Sequence, residues 1–278
     1  MPRAIDPDLP AISTAVESPS SAVRAIATGT PPIRKPQSEA LAFMEQVDGL
    51  SDALKKRLPE LYERTGISYR HTGLEDYDRT AEEFEFFPPD WSLEPAPSTA
   101  KRMEKYREIV TPLTTRISED ALQNADLEPE SITHLITTTC TGFSAPGFDV
   151  ALVDRLGLSP GIARDMIGFM GCQAAFNGLR SANAICRSDP DARVLLVCAE
   201  LCTLHFQVES SLESAIVNAL FSDGAAAAVL SRNETTADDP SSSRSGAWQY
   251  LSGRNRLVPD TREAMSWEIG NRGFEMGL

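Results

Sequence analysis

Gly168-Phe169-Met170-Gly171-Cys172-Gln173-Ala174-Ala175-Phe176 sets one cysteine where an apolar, strand-like run (Ile162 to Met170) breaks at a glycine and a helical run begins. From Cys172 to Arg187, Ala175, Leu179, Ala182 and Ile185 recur at three- and four-residue steps, the period of a helix with one apolar face. A thiol in the first turn of such a helix faces unpaired N–H groups and the positive end of the macrodipole. Both favour the thiolate, which is the nucleophilic form. Gly171 lets the backbone bend sharply, and amides near it are placed to hold a developing oxyanion. The stretch alone leaves a second reading open, in which Cys172 is one more small buried residue.

Outward from this point, strand and helix alternate over residues 132–231. Ile132 to Thr139 is β-branched, Ala192 to Ala199 reads as a strand buried on both faces, and Ala225 to Leu230 reads as a third. Such alternation implies a layered α/β architecture. Residues 1–22, rich in Pro, Ser and Ala without period, are expected to be a loose, disordered arm. Residues 23–125 read as mainly helical. Ser38 is expected to cap one helix, Leu50 to Leu58 to begin another, and Lys101 to Asn124 to form a long one that Pro112 bends or interrupts. Residues 232–246 are polar and linker-like, and 247–278 opens with strand character.

Composition narrows the function classes. A net charge of −14 argues against a nucleic-acid surface, so any phosphate on a substrate must meet locally gathered Lys and Arg. No stretch approaches the roughly 18 uninterrupted apolar residues of a membrane span. Met1-Pro2-Arg3-Ala4-Ile5-Asp6-Pro7 lacks the layout of a secretory signal. The five cysteines, Cys140, Cys172, Cys186, Cys198 and Cys202, show no CxxC pair and no metal-ligand spacing with histidine. Free thiols in a cytoplasmic protein without a metal are therefore expected.

Four blocks become specific together. Thr137-Thr138-Thr139-Cys140-Thr141-Gly142-Phe143-Ser144-Ala145-Pro146-Gly147 resembles the loop lining the active site of type III polyketide synthases, the chalcone-synthase-like family, in its bacterial style. The Phe169 to Ala175 elbow resembles the family's nucleophile block. Val197-Cys198-Ala199-Glu200-Leu201-Cys202-Thr203-Leu204-His205-Phe206 and Ala219-Leu220-Phe221-Ser222-Asp223-Gly224-Ala225-Ala226 resemble the next two, in the same order. Met265 to Met276 looks like the opening of the family's C-terminal half. The likeness covers roughly Ala22 to Leu278.

The resemblance implies a thiolase-like fold of five alternating layers, αβαβα, built from two related halves. Residues 23–231 would be the N-terminal half, and 247–278 the start of an incomplete second half. It implies a homodimer, with Thr137 to Asp149 near the partner and Ala145 where many relatives carry a bulkier residue. It implies acyl transfer from coenzyme A to Cys172, followed by condensation with malonyl-coenzyme A; these thioesters are substrates, and no cofactor is expected. Phe221 would act as an apolar gate, with core packing as the alternative. Cys140, Thr141, Cys202 and His205 match cavity-lining places, a plain core role staying open for Cys140 and Cys202. Arg57 and Arg64, seven residues apart on one helix face, match the basic residues that meet coenzyme A. Glu60 stands where the third base would be, so solvated surface arginines are the alternative.

The family's catalytic histidine and asparagine belong to blocks that the resemblance does not reach within these 278 residues. The histidines present are His71, His134 and His205; none holds the catalytic place, and Asn271 belongs to an earlier block. The expectation is thus a truncated or split synthase without part of its triad, showing weak self-acylation and no polyketide formation alone. A catalytically deficient scaffold or dimer partner of a complete synthase is the alternative. An initiating ketoacyl synthase of fatty-acid synthesis shares the fold and is disfavoured by the Phe221 and Cys140 blocks.

Overall fold

The computed structural model describes residues 21–233 and 248–277. The chain opens with strand β1 (Ser21–Gly29), the short strand β2 (Ile33–Pro36) and helices α1 (Gln37–Gln46), α2 (Asp52–Lys55) and α3 (Leu58–Arg64). Strand β3 (Tyr69–Thr72) and the long helix α4 (Thr99–Ala125) follow. The alternating section is β4 (His134–Thr139), α5 (Phe148–Leu156), β5 (Ala163–Gly168), α6 (Ala174–Ser188), β6 (Arg193–Leu201), α7 (Leu212–Leu220) and β7 (Asp223–Arg232). Beyond it lie β8 (Trp248–Gln249) and a hairpin of β9 (Ser266–Gly270) and β10 (Gly273–Gly277).

Six strands make one sheet in the order β5-β4-β6-β7-β1-β8, parallel across β5-β4-β6 and antiparallel beyond. The two-residue period of the strands sorts their apolar side chains onto two faces. Leu135, Leu195, Val197 and Val229 join Val110, Leu113 and Ile117 of α4 in the larger core. Ile136, Val194, Leu196 and Leu230 meet Ala182 and Cys186 of α6 on the other face. Each fully buried Leu, Ile or Val contributes about 1.5–3 kcal/mol, so both helices are held by burial rather than by propensity. The result is a helix–sheet–helix stack with α4 against one face of the sheet and α6 against the other. Of the five layers expected for the thiolase-like fold, these three are formed by the described residues.

Several expectations need correction. Residues 23–125 are mainly helical but not helical throughout: β1, β2 and β3 lie in or across this block, and β1 begins at Ser21, inside the expected arm. β1 pairs with β7 and β8, far along the chain, so its strand character comes from partners that a local pattern does not display. The remainder of the arm (1–20) and most of the linker (234–246) lie outside the described residues. Ser38 does not cap α1, whose N-cap is Pro36. The Leu50 to Leu58 helix divides in two, with Ser51 capping α2 and Arg57 at the N-cap of α3, where Pro59 fits the first turn. Pro112 does not interrupt α4. It is exposed, as is Glu108, whose carbonyl loses its helical donor, so the unmet group falls on the solvent side of the helix rather than in the core. His71 is in β3. The helix after Cys172 starts at Ala174, following a 3₁₀ turn over Gly171–Gln173.

Candidate active site

The sheet brings the C-terminal ends of β4, β5 and β6 together, the usual place for a site in a parallel sheet. A cavity of about 630 Å³ opens there, within the range of small-molecule sites. Cys172, Cys140, Thr141, Cys202, His205 and Phe221 all line it, so the structure gathers six of the eight residues singled out by the sequence.

Cys172 sits at the cavity just past the end of β5. The chain reaches it through two left-handed residues, Phe169 at φ 55° and Gly171 at φ 62°. Glycine takes this conformation without cost, whereas Phe169 is held there by its surroundings. Its ring lies 5.4 Å from that of Phe143 and 5.8 Å from that of Phe274. The turn carries Cys172 outward, and the thiol is exposed. The buried reading of this cysteine is therefore wrong in this structure. The neighbouring β5 is also exposed, contrary to the strands buried on both faces that the alternation suggested.

Cys140 follows β4, one strand inward, in a different setting. Its N–H donates to both carboxylate oxygens of Glu200, at 3.0 and 3.1 Å. The Thr141 hydroxyl donates to Glu200 at 2.7 Å and accepts the Leu201 N–H at 2.9 Å, tying the loop to the end of β6. Burial pushes the Cys140 thiol up to about 12, with the Glu200 carboxylate adding to the effect. Burial also raises Glu200, although the bonds from Thr141 and Cys140 work against this. Burial, then Asp223 and Glu200, push the Cys202 thiol well above its usual range. Cys140 and Cys202 are held neutral while Cys172 faces the opening.

His205 is 6% exposed and fully engaged. Its Nε2 donates to the Thr141 carbonyl at 2.7 Å, and its Nδ1 accepts the Phe274 N–H at 2.9 Å. A carbonyl and an N–H on the two nitrogens define the neutral tautomer. Burial lowers the imidazole to about 4, the Thr141 carbonyl opposing this and Arg102 reinforcing it. The ring stacks on Phe274, centroids 4.1 Å apart, with Trp267 edge-on at 5.5 Å. Neither nitrogen is available to act as a base.

The β9–β10 hairpin completes this wall. The Trp267 indole donates to the Cys140 carbonyl at 2.6 Å. The hairpin is pinned to the start of α4 by Thr99 N–H to the Asn271 carbonyl at 2.9 Å, and by Gly273 N–H to the Thr99 hydroxyl at 2.9 Å. Trp267, Phe274, Glu200 and Arg70 are cavity residues that the sequence reading passed over. Glu200 carried a signal, an acid inside an apolar strand run; the others did not.

Arg57 and Arg64 are both exposed and neither lines the cavity. Arg64 pairs with Glu60 at 3.5 Å on the solvent side of α3, a pair worth little in water. Among the described lining residues, Arg70 is the one permanent cation. His71 and His134 lie outside the cavity: His71 Nδ1 contacts the Pro31 carbonyl at 3.3 Å and His134 Nδ1 the Thr133 hydroxyl at 2.8 Å. Among the described residues there is no group of side chains suited to a metal, and no helix is long and apolar enough to cross a membrane.

Comparison with known proteins places this geometry. Residues 12–233 match the family described as chalcone and stilbene synthases, N-terminal domain. The alpha-pyrone synthesis polyketide synthase-like Pks18 of Mycobacterium tuberculosis is 34% identical over 212 residues, 76% of this chain and 52% of that protein. Bisdemethoxycurcumin synthase of Oryza sativa subsp. japonica is 30% identical over 260 residues, 92% of this chain and 61% of that protein. The chain thus spans half to three-fifths of the length of these relatives. The crystal structure of PKS-I from the brown alga Ectocarpus siliculosus superposes with a TM-score of 0.86 at 30% identity, covering 94% of this chain and 68% of that one. None of these three is a ketoacyl synthase of fatty-acid synthesis. With a thiolase-like fold, a cysteine at the elbow after β5 and these relatives, the chain belongs to the chalcone and stilbene synthase family, the type III polyketide synthases.

Proposed function

We propose that this protein is an acyltransferase that condenses an acyl-coenzyme A starter with malonyl-coenzyme A through a thioester on Cys172. The observation that carries this reading is the exposed Cys172 thiol on a left-handed turn at a cavity large enough for an acyl chain. In the loading step Sγ attacks the starter carbonyl, and coenzyme A leaves as the thiol, taking up the proton lost by Cys172. Malonyl-coenzyme A then releases carbon dioxide. The resulting C2 carbanion attacks the thioester carbonyl, a C–C bond forms, and the Cys172 thiolate is expelled. Phe221, half-buried in the cavity wall at the end of α7, is the apolar gate that disfavours the malonyl carboxylate and so assists its loss. Cys140, Thr141, Cys202 and His205 shape the wall that limits starter and product, and Arg57 and Arg64 meet coenzyme A phosphates outside the cavity.

Pairing with a second copy or with a complete synthase belongs to this proposal, supported by Phe176 and Met170 standing 68% and 49% exposed beside the uncovered strand β5. The engaged His205 favours the related reading in which this polypeptide loads an acyl group and relies on other residues for decarboxylation. Losing one oxyanion donor costs about a hundred- to a thousandfold in rate, so loading should persist where condensation does not. A cytoplasmic setting fits five free cysteines. The test is incubation with an acyl-coenzyme A and mass mapping of the adduct. The expected result is a thioester on Cys172 that Cys172→Ala abolishes; an adduct elsewhere, or none, would sink the reading.

A further inference from the structure

The end of α7 is anchored from outside the helix. The last carbonyls of a helix lack intrahelical donors, and here they precede the Phe221 side chain directly. Arg70, on β3, donates Nη1 to the Asn218 carbonyl and Nη2 to the Phe221 carbonyl. Gln37 Nε2 donates to the Ala219 carbonyl at 2.9 Å. One residue along β3, the His71 N–H donates to the Ser222 hydroxyl at 2.8 Å, and that hydroxyl donates back to the His71 carbonyl at 2.6 Å. Gly73 N–H then donates to Asp223 at 2.8 Å. The segment from 218 to 223 is thus gripped from the β3 side at three successive points.

Arg70 differs from the other anchors in two ways. It carries a permanent charge at the negative end of a helix, and its planar fork reaches two carbonyls that a single ammonium would not span. It also stands in the wall between the main cavity and a chamber of about 40 Å³ behind it, bordered by Phe43, Tyr62 and Phe206. With its two terminal nitrogens on the backbone of α7, the guanidinium fixes the chain that carries the Phe221 ring while lining the same cavity.

We propose that Arg70 is the positioning residue of the gate, holding the Phe221 backbone so that its ring stands at one place in the cavity wall. This rests on the reading of Phe221 as the gate between coenzyme A and the thiol. Arg70 touches no reacting atom and acts through Phe221 alone.

The test places 4-fluorophenylalanine at position 221 of the 278-residue chain and follows its ¹⁹F resonance beside backbone amide exchange over residues 219–222. Arg70→Met should shift or split the single resonance and speed exchange there by about tenfold or more, while exchange in β4 and β6 stays unchanged. Arg70→Lys should fall between, and millimolar guanidinium should restore the single resonance in Arg70→Ala, a rescue that a general packing role would not give. An unmoved resonance with unchanged exchange overturns the proposal. If Arg70→Met does not fold, Arg70→Lys decides on the same two readouts. The gate reading fails separately: it is lost if Phe221→Ala slows Cys172 acylation and malonyl decarboxylation equally, whatever Arg70 does to the backbone.

Discussion

Strands β4 and β5 run side by side in the same direction and in unbroken register, from His134 opposite Ala163 to Thr139 opposite Gly168. Each ends in a turn that delivers a cysteine to one cavity. β4 is buried along almost its whole length, whereas β5 is exposed for four of its six residues. The inner strand gives Cys140, neutral and tied to Glu200; the outer strand gives Cys172, open to the cavity. Two neighbouring strand ends therefore divide the labour, one fixing the wall and one presenting an exposed cysteine. Burial supplies the rigidity of the first, and a pair of left-handed residues supplies the reach of the second.

The glycines at the two ends offer the most severe test of that contrast. A Cβ on Gly142 would fall 2.3–2.4 Å from three carbons of the Tyr106 ring, which is itself buried and bonded to Thr139 at 2.9 Å. Gly142→Ala should cost about 3 kcal/mol or more, measured by denaturant unfolding. Gly171 has open space around its missing Cβ, so Gly171→Ala should cost only the left-handed strain, about 1–2 kcal/mol. Equal losses would mean that the two turns are not held by different means.

A smaller effect is expected in thiol chemistry. Iodoacetamide at neutral pH should modify Cys172 at least about tenfold faster than Cys140, Cys186 or Cys202, because the thiolate reacts and burial keeps the other three protonated. Peptide mapping that finds Cys140 modified first would reverse the assignment of roles.

The smallest effect is a dependence on pH within the inner wall. His205 is lowered in the folded protein to about 4 from 6.5, so its contribution is present above pH 6.5 and is lost as pH falls toward 4. Asp223, pushed up by burial to about 6 from 3.8, has the opposite slope: its contribution is full below pH 3.8 and is lost as pH rises through 6. The two oppose each other over the same window, so the parent protein should show a shallow profile. In His205→Gln the melting temperature should fall below the parent's by the largest margin above pH 6.5, and the gap should narrow toward pH 4. A gap that does not change with pH would mean that His205 is not held neutral by its surroundings.

Much of the inner part was legible in the sequence. The runs around Leu135, Leu195 and Val229 announce buried strands, and Cys172 between Gly171 and a helical period announces an elbow. What escaped was set by partners distant in the chain. β1 is rich in small residues and gains its strand form from β7. Trp267 and Phe274 acquire a role only when the hairpin folds across His205. The exposure of Cys172 was also not readable, since an apolar run before a helix looks the same in an inner and an outer strand. For Arg57 and Arg64 the spacing carried no information on distance from the cavity: both are exposed, at the two ends of α3 and outside the lining.

The place of β1 in the sheet has a consequence for how the polypeptide is made. It sits between β7 and β8, and its partner residues in β7 emerge from the ribosome roughly 200 residues later. At 5–20 residues per second, β1 waits about 10–40 s with its backbone unpaired. The turns bearing Cys140 and Cys172 are synthesised within that interval. The earliest of the described strands is thus paired only after about 200 further residues, and the nascent polypeptide depends on whatever shields that open strand until β7 arrives.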